Sequence, residues 1–164
     1  RYPLKEITIH PRTARQLYGG RPDLDAFAAC LAQCRHPVVY NGDITDLKGF
    51  RELSTRFPQV DSWMIGRGAL SRPFLPGIIK SGKDDIPDKI APFQAFYTDL
   101  FGRYQALLSG PGHLLDRMKG FWKYFAMGFE NGAVFEKRIY HTFQLPRYLE
   151  IVARFFEEEA QWVG

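Results

Sequence analysis

The sequence predicts an α/β fold continued by an all-helical unit, on three observations. Strand and helix patterns alternate within roughly 60 residues near the start, which implies parallel pairing through right-handed crossovers. The second and third strand patterns are nearly uninterrupted apolar runs, as where both faces of a sheet are covered. From Ile90 onward the pattern is helical only.

Lys5 to Ile9 is short and β-branched and runs into His10-Pro11, so it reads as the first strand. Asp23 to Arg35 carries Leu24, Phe27, Ala28, Leu31 and Ala32 at helical spacing, with Asp23 as its cap and His36-Pro37 as its terminator. Pro37 to Tyr40 is the second strand, ending at Asn41-Gly42-Asp43. A second helix spans Asp46 to Arg56, with Leu47, Phe50 and Leu53 on one face, Thr45 or Asp46 as its cap, and Phe57-Pro58 closing it. Asp61 to Ile65 is the third strand, ending at Gly66-Arg67-Gly68. Lys80 to Lys89 is polar, contains Gly82 and Pro87, and reads as a connector. Helical patterns then cover Pro92 to Leu108, Leu114 to Phe129, Val134 to Phe143 and Arg147 to Gln161. The expected domains are residues 1–79 and 80–164.

A chain of 164 residues has room for one domain, or for a small domain with an appended helical unit. Hydrophobic residues make up 45% and charged residues 24%, the composition of a folded soluble protein. No apolar run approaches the roughly 18 to 20 residues that cross a bilayer, and no secretory signal opens the chain, so the expected compartment is the cytoplasm. Cys30 and Cys34 lie four apart in a stretch that reads as helix, a Cys-x3-Cys pair without a matching ligand pair. That is a poor metal site, so no metal is expected, and one or both thiols are expected to pack as small apolar groups. The net charge of +4 and a pI near 9.1 permit an anionic partner such as nucleic acid without requiring one.

Three strand ends carry the polar chemistry: His10-Pro11-Arg12-Thr13, Asn41-Gly42-Asp43 and Gly66-Arg67-Gly68. In a parallel α/β sheet, ligands bind beyond the carboxyl ends of the strands. Gly42 and Gly66 lack the side chains that would keep backbone N–H groups from phosphate oxygens, and Arg67 offers a bidentate, charge-assisted contact. Asn41 presents a donor and an acceptor, and His10 a ring N–H for a developing anion. Each residue also has a plainer role. Gly42, Gly68 and Asp43 suit tight turns, His10 suits a satisfied buried position, and Arg12, Arg15 and Arg67 suit solvated loops.

The segment Ile9-His10-Pro11-Arg12-Thr13-Ala14-Arg15-Gln16-Leu17-Tyr18-Gly19-Gly20 resembles the sixth-strand signature of the tRNA-dihydrouridine synthases. Pro37-Val38-Val39-Tyr40-Asn41-Gly42-Asp43-Ile44 resembles their seventh strand. Met64 to Leu75 resembles their eighth, with its continuation into a short helix. The likeness covers residues 5 to 76, and the helical tail is compatible with the family's tRNA-binding domain. Arg117-Met118-Lys119-Gly120-Phe121-Trp122-Lys123-Tyr124 is similar to a basic-aromatic stretch found there, with Phe121, Trp122 and Phe125 suited to a core.

This resemblance implies the last three βα units of a TIM (β/α)8 barrel followed by the helical domain. It implies an FMN cofactor reduced by NADPH and a tRNA uridine reduced to dihydrouridine, hydride passing from flavin N5 to uracil C6 while a cysteine protonates C5. Carried over by position, Asn41, Gly42, Asp43, Gly66 and Arg67 would hold the ribityl phosphate, His10 would approach the isoalloxazine, and Arg12 would lie on the flavin or substrate side. The RNA contacts would be Arg15, Arg117, Lys119 and Lys123. Pro11 stands where members commonly have Gly, which removes a backbone donor.

A full barrel needs about 250 residues and eight strands. The family's catalytic cysteine and flavin-side lysine lie on earlier strands, so this chain is expected to lack catalytic residues, to be inactive alone, to miss the first half of its barrel, and to be able to self-associate through open sheet edges. Two other readings stay open: an FMN barrel for a small molecule of the dihydroorotate or enoate type, and an RNA-binding module without catalysis.

Overall fold

The computed structural model describes residues 3–17 and 19–163; Tyr18 of the first strand-end motif lies outside them. The chain divides into two compact units, Arg1–Ala69 with Phe74–Asp84, and Leu70–Pro73 with Asp85–Gly164. Sequence reading put the junction between residues 79 and 80.

The first unit holds a three-stranded parallel sheet in the order β1-β2-β3, with β1 Ile7–Ile9, β2 Val38–Asn41 and β3 Ser62–Met64. Ile7 pairs with Val38 and Ile9 with Tyr40, while Val39 pairs with Ser62 and Asn41 with Met64. This register brings the three carboxyl ends to one edge. Helix α1 (Leu24–Gln33) follows β1 and α2 (Leu47–Arg56) follows β2, the alternation expected of parallel crossovers. Asp23 Oδ1 accepts from the N–H groups of Asp25 (3.1 Å) and Ala26 (2.9 Å), and Asp46 Oδ1 accepts from Gly49 N–H at 2.7 Å. Both helices therefore start where a side-chain oxygen satisfies orphan donors.

The helices pack on one face of the sheet. Phe27, Val38, Tyr40, Ile44, Leu53, Phe57, Val60 and Leu75 form that core, with Phe27 edge-on to both Tyr40 and Phe57 at 4.9 Å. The expectation that the third strand is covered on both faces is corrected. Only β2 is buried over most of its length, from Val38 to Tyr40, whereas Ser62 and Met64 of β3 are exposed. The centre strand has neighbours on both sides, and the flanking strands do not. Cys34 is the extended residue closing α1 rather than part of the helix. Its thiol packs against the core as expected, and Cys30 is exposed.

Two short helices follow β3, α3 (Arg67–Ser71) and α4 (Leu75–Ser81), the second ending at Gly82 in the left-handed conformation. In the second unit, α5 (Ile90–Leu107), α6 (Pro111–Phe125), α7 (Gly132–Tyr140) and α8 (Leu145–Arg154) surround an aromatic core. Helix α6 begins three residues before the expected Leu114, because Pro111 is preset for a first helical position. Phe93, Trp122, Phe125, Phe129, Phe135 and Phe155 are all buried, and Trp122 meets Phe135 at 4.5 Å. Phe121 is half-buried beside them. The buried Tyr97 and Tyr148 hydroxyls bond each other at 2.8 Å, and burial raises both above the usual tyrosine value, Tyr148 strongly. No strand was expected here; one antiparallel bridge joins Phe129 to Trp162.

Candidate functional site

At the carboxyl edge of the sheet, Asp43 lies between two guanidinium groups. Arg12 donates from Nη1 to Asp43 Oδ1 at 3.1 Å and from Nη2 to Oδ2 at 2.6 Å, while Arg67 Nη2 donates to Oδ1 at 2.8 Å. The Arg12 side chain is 1% exposed, against 37% for Asp43 and 39% for Arg67. One carboxylate thus links the ends of β1, β2 and β3. The Arg12 hydrogen bond, with the charges of Arg12 and Arg67, holds the Asp43 carboxyl below the usual range despite partial burial. The Asp43 hydrogen bond in turn raises the Arg12 pKa. Two cations against one anion leave a net positive charge at this edge.

Arg12 Nη2 also donates to the Gly20 carbonyl at 2.8 Å, which ties the loop after β1 to the cluster. Its Nε–H is buried and has no acceptor among the described residues. His10 Nδ1 lies 2.6 Å from the Asn41 carbonyl oxygen. A carbonyl only accepts, so Nδ1 carries a proton, and Nε2 bears one only in the imidazolium. His10 is exposed rather than buried. Pro11 is buried, and its carbonyl accepts from the Asp23 N–H at 2.8 Å.

The glycines divide by cause. Neither Gly42 nor Gly68 has a positive φ, so neither is explained by a glycine-only turn. A Cβ on Gly42 would stand 2.2 Å from the Tyr40 hydroxyl oxygen, and one on Gly68 would stand 1.9 Å from the Ile44 carbonyl oxygen. Both serve close packing. A Cβ on Gly66 would meet nothing within 4 Å, so the chain itself has no steric need for glycine there.

The basic residues chosen from sequence do not form one surface. Arg15 is exposed on the loop after β1. On α6, Lys119 and Lys123 share a face, and Arg117 points away from them, its guanidinium 5.6 Å from the Tyr104 ring centre. Lys119 Nζ donates to the Tyr140 carbonyl at 3.1 Å and lies 4.8 Å from the Phe143 ring centre. Tyr140 and Phe143, which the sequence marks only as the end of a helical pattern, are 66% and 81% exposed. Sequence reading passed over the Asp43 bridge, for which the signal was an acid and two arginines at three adjacent strand ends.

The parallel three-stranded sheet places this chain among α/β proteins, a class in which ligands commonly bind beyond the carboxyl ends of the strands. The sequence model of the family described as dihydrouridine synthase (Dus) matches residues 4–160, and the chain belongs to that family. It is 32% identical over 112 residues to a probable tRNA-dihydrouridine synthase of Rhizobium leguminosarum bv. phaseoli, covering 66% of this chain and 35% of that protein. It is 36% identical over 107 residues to a probable tRNA-dihydrouridine synthase of Rhodobacter capsulatus, covering 65% and 33%. Identity to tRNA-dihydrouridine synthase B of Escherichia coli K12 is 38% over 73 residues, covering 44% and 22%. The matched stretch spans about a third or less of each of these relatives. Among the described residues no helix is long and apolar enough to cross a membrane, and no cluster of His, Cys, Asp or Glu is arranged to hold a metal ion.

Proposed function

We propose that this chain forms the phosphate-binding part of an FMN site in an enzyme that reduces uridine to dihydrouridine in tRNA, with NADPH as reductant. The observation that carries the reading is the net positive charge which Arg12, Asp43 and Arg67 leave at the carboxyl edge of a parallel sheet. The sheet order and the family membership support assigning β1 to β3 and their helices to the last three βα units of a (β/α)8 barrel. The helical unit is then the RNA-binding part.

The residues present fit a phosphate monoester. Gly66 is exposed and without a Cβ, so an oxygen can approach its backbone, and Arg67 keeps part of its guanidinium accessible. Asn41 would offer its amide to the ribityl hydroxyls. Asp43 repels a phosphate, so its part is to orient Arg12 and Arg67. Gly42 and Gly68 serve the site by letting the Tyr40 ring and α3 pack closely behind it. His10, whose Nδ1 is engaged by the Asn41 carbonyl, would leave Nε2 for the isoalloxazine.

When bound, reduced FMN supplies hydride to uracil C6. Neither cysteine of this stretch is assigned the protonation of C5. Cys30 lies along α1 and Cys34 at its end, which returns the chain to the start of β2, the sheet edge opposite the site. The stretch alone therefore binds cofactor without turnover. A cytosolic setting agrees with two free thiols.

The test is to load the purified chain with FMN, remove unbound flavin, and add NADPH and unmodified tRNA. The expected result is retained flavin absorbance without dihydrouridine formation. Absence of retained flavin would refute the cofactor assignment, and dihydrouridine formation would refute the inactivity.

A further inference from the structure

Among the described residues, Tyr140 and Phe143 are the two most exposed aromatic side chains, at 66% and 81%. An exposed Phe contributes nothing to folding by burial, and here the backbone that carries it is fixed. The Thr142 N–H donates to the Ile139 carbonyl at 3.0 Å, and the Thr142 hydroxyl donates to the Arg138 carbonyl at 3.1 Å. Lys119 links the two aromatic residues, bonding the Tyr140 carbonyl while its ammonium faces the Phe143 ring. His141 stands edge-on to Tyr140 at 5.4 Å.

The charge around these rings is predominantly positive. From Lys137 to Leu149 every charged residue is a cation. Arg138 and Arg147 are engaged by Glu159 and Glu150, but Lys123 and Lys137 are exposed and enter no ion pair among the described residues. Helical spacing puts Lys137 one turn from Tyr140 and Lys123 one turn from Lys119, with Glu136 the single carboxylate one turn from Tyr140. Fixed, solvent-facing rings bordered by ammonium groups suit a partner with flat π-faces and regularly spaced anions.

We propose that Tyr140 and Phe143 form a stacking platform for unstacked bases of RNA, with Lys119, Lys123 and Lys137 contacting the flanking phosphates. The proposal rests on the RNA reading above and adds which side chains hold the bases. Two-torsion aromatic side chains at a pinned helix end lose little entropy on contact, and stacking accepts any base.

The test measures binding of the whole chain to a labelled single-stranded uridine-rich RNA, an unmodified tRNA transcript and an RNA duplex, over a range of salt. The double variant Tyr140→Ala/Phe143→Ala should bind the single strand and the tRNA about tenfold more weakly or worse, with an unchanged slope of log affinity against log salt. Phe143→Trp should retain affinity, and duplex binding should be unaffected by any of these changes. Lys119→Ala/Lys123→Ala should instead reduce the salt slope. Both aromatics are exposed, so a matched melting curve checks that the double variant folds. Unchanged RNA affinity in that variant overturns the platform alone, whereas failure of the unaltered chain to bind any RNA overturns the platform and the RNA reading together. Conversion of a dimer to a monomer by the double variant, with RNA affinity intact, would make the surface a self-association face and also overturn the proposal.

Discussion

Asp43 carries the sign of charge that an anion site should avoid, yet it contacts both arginines of the strand ends. Its carboxyl is held below the usual value chiefly by the Arg12 hydrogen bond. A depressed folded-state pKa contributes stability that is complete above the unfolded value of about 3.9 and is lost as pH falls through the folded value. Asp43→Asn should therefore cost about 1 kcal/mol in urea unfolding at neutral pH, a figure kept small because the group is partly exposed. The difference from the unaltered protein should persist below pH 4 and disappear only under the depressed pKa. The glycines give a second comparison at this scale. Gly68→Ala should destabilise by about 1–3 kcal/mol, since its Cβ meets the Ile44 carbonyl oxygen. Gly66→Ala meets nothing and should leave the melting temperature unchanged while weakening FMN binding. Equal FMN affinity in Gly66→Ala would remove this glycine from the phosphate site.

Among the elements, β1 to β3, α1 and α2 were legible in the sequence because their cues are local. Asp23 and Asp46 cap the two helices as the pattern indicated, and β-branched or aromatic runs mark the strands. Replacing Asp46 by Ala should cost about 1 kcal/mol by freeing the Gly49 N–H, measurable by urea unfolding and absent for a change at exposed Glu52. What local cues do not reveal is which edge of an element meets solvent. Met64 continues an apolar run and is exposed, because β3 flanks β2 rather than being flanked on both sides. Phe143 ends a helical pattern and points outward for a related reason: α7 stops at Tyr140, leaving it beyond the buried stripe. The candidate site was half legible. Its residues stand out as strand-end motifs, but the reach of Arg12 to Asp43 spans 31 positions and follows only from strand order.

At the scale of the molecule, a parallel sheet unit and an aromatic-cored helical unit lie in one chain with a net charge of +4. A cation-bearing sheet edge in one unit and the lysine-flanked rings of the other are the two surfaces assigned by proposal to a cofactor phosphate and to an RNA backbone. The most direct measurement of the first is a parallel fluorescence titration of the chain with FMN and with riboflavin, which differ by the phosphate alone. FMN should bind at least about tenfold more tightly, the scale of one charge-assisted contact, and Arg67→Ala should abolish the difference while leaving riboflavin affinity unchanged. Equal affinity for the two flavins, or a preference for FMN that survives Arg67→Ala, would contradict the assignment of this strand edge to the phosphate.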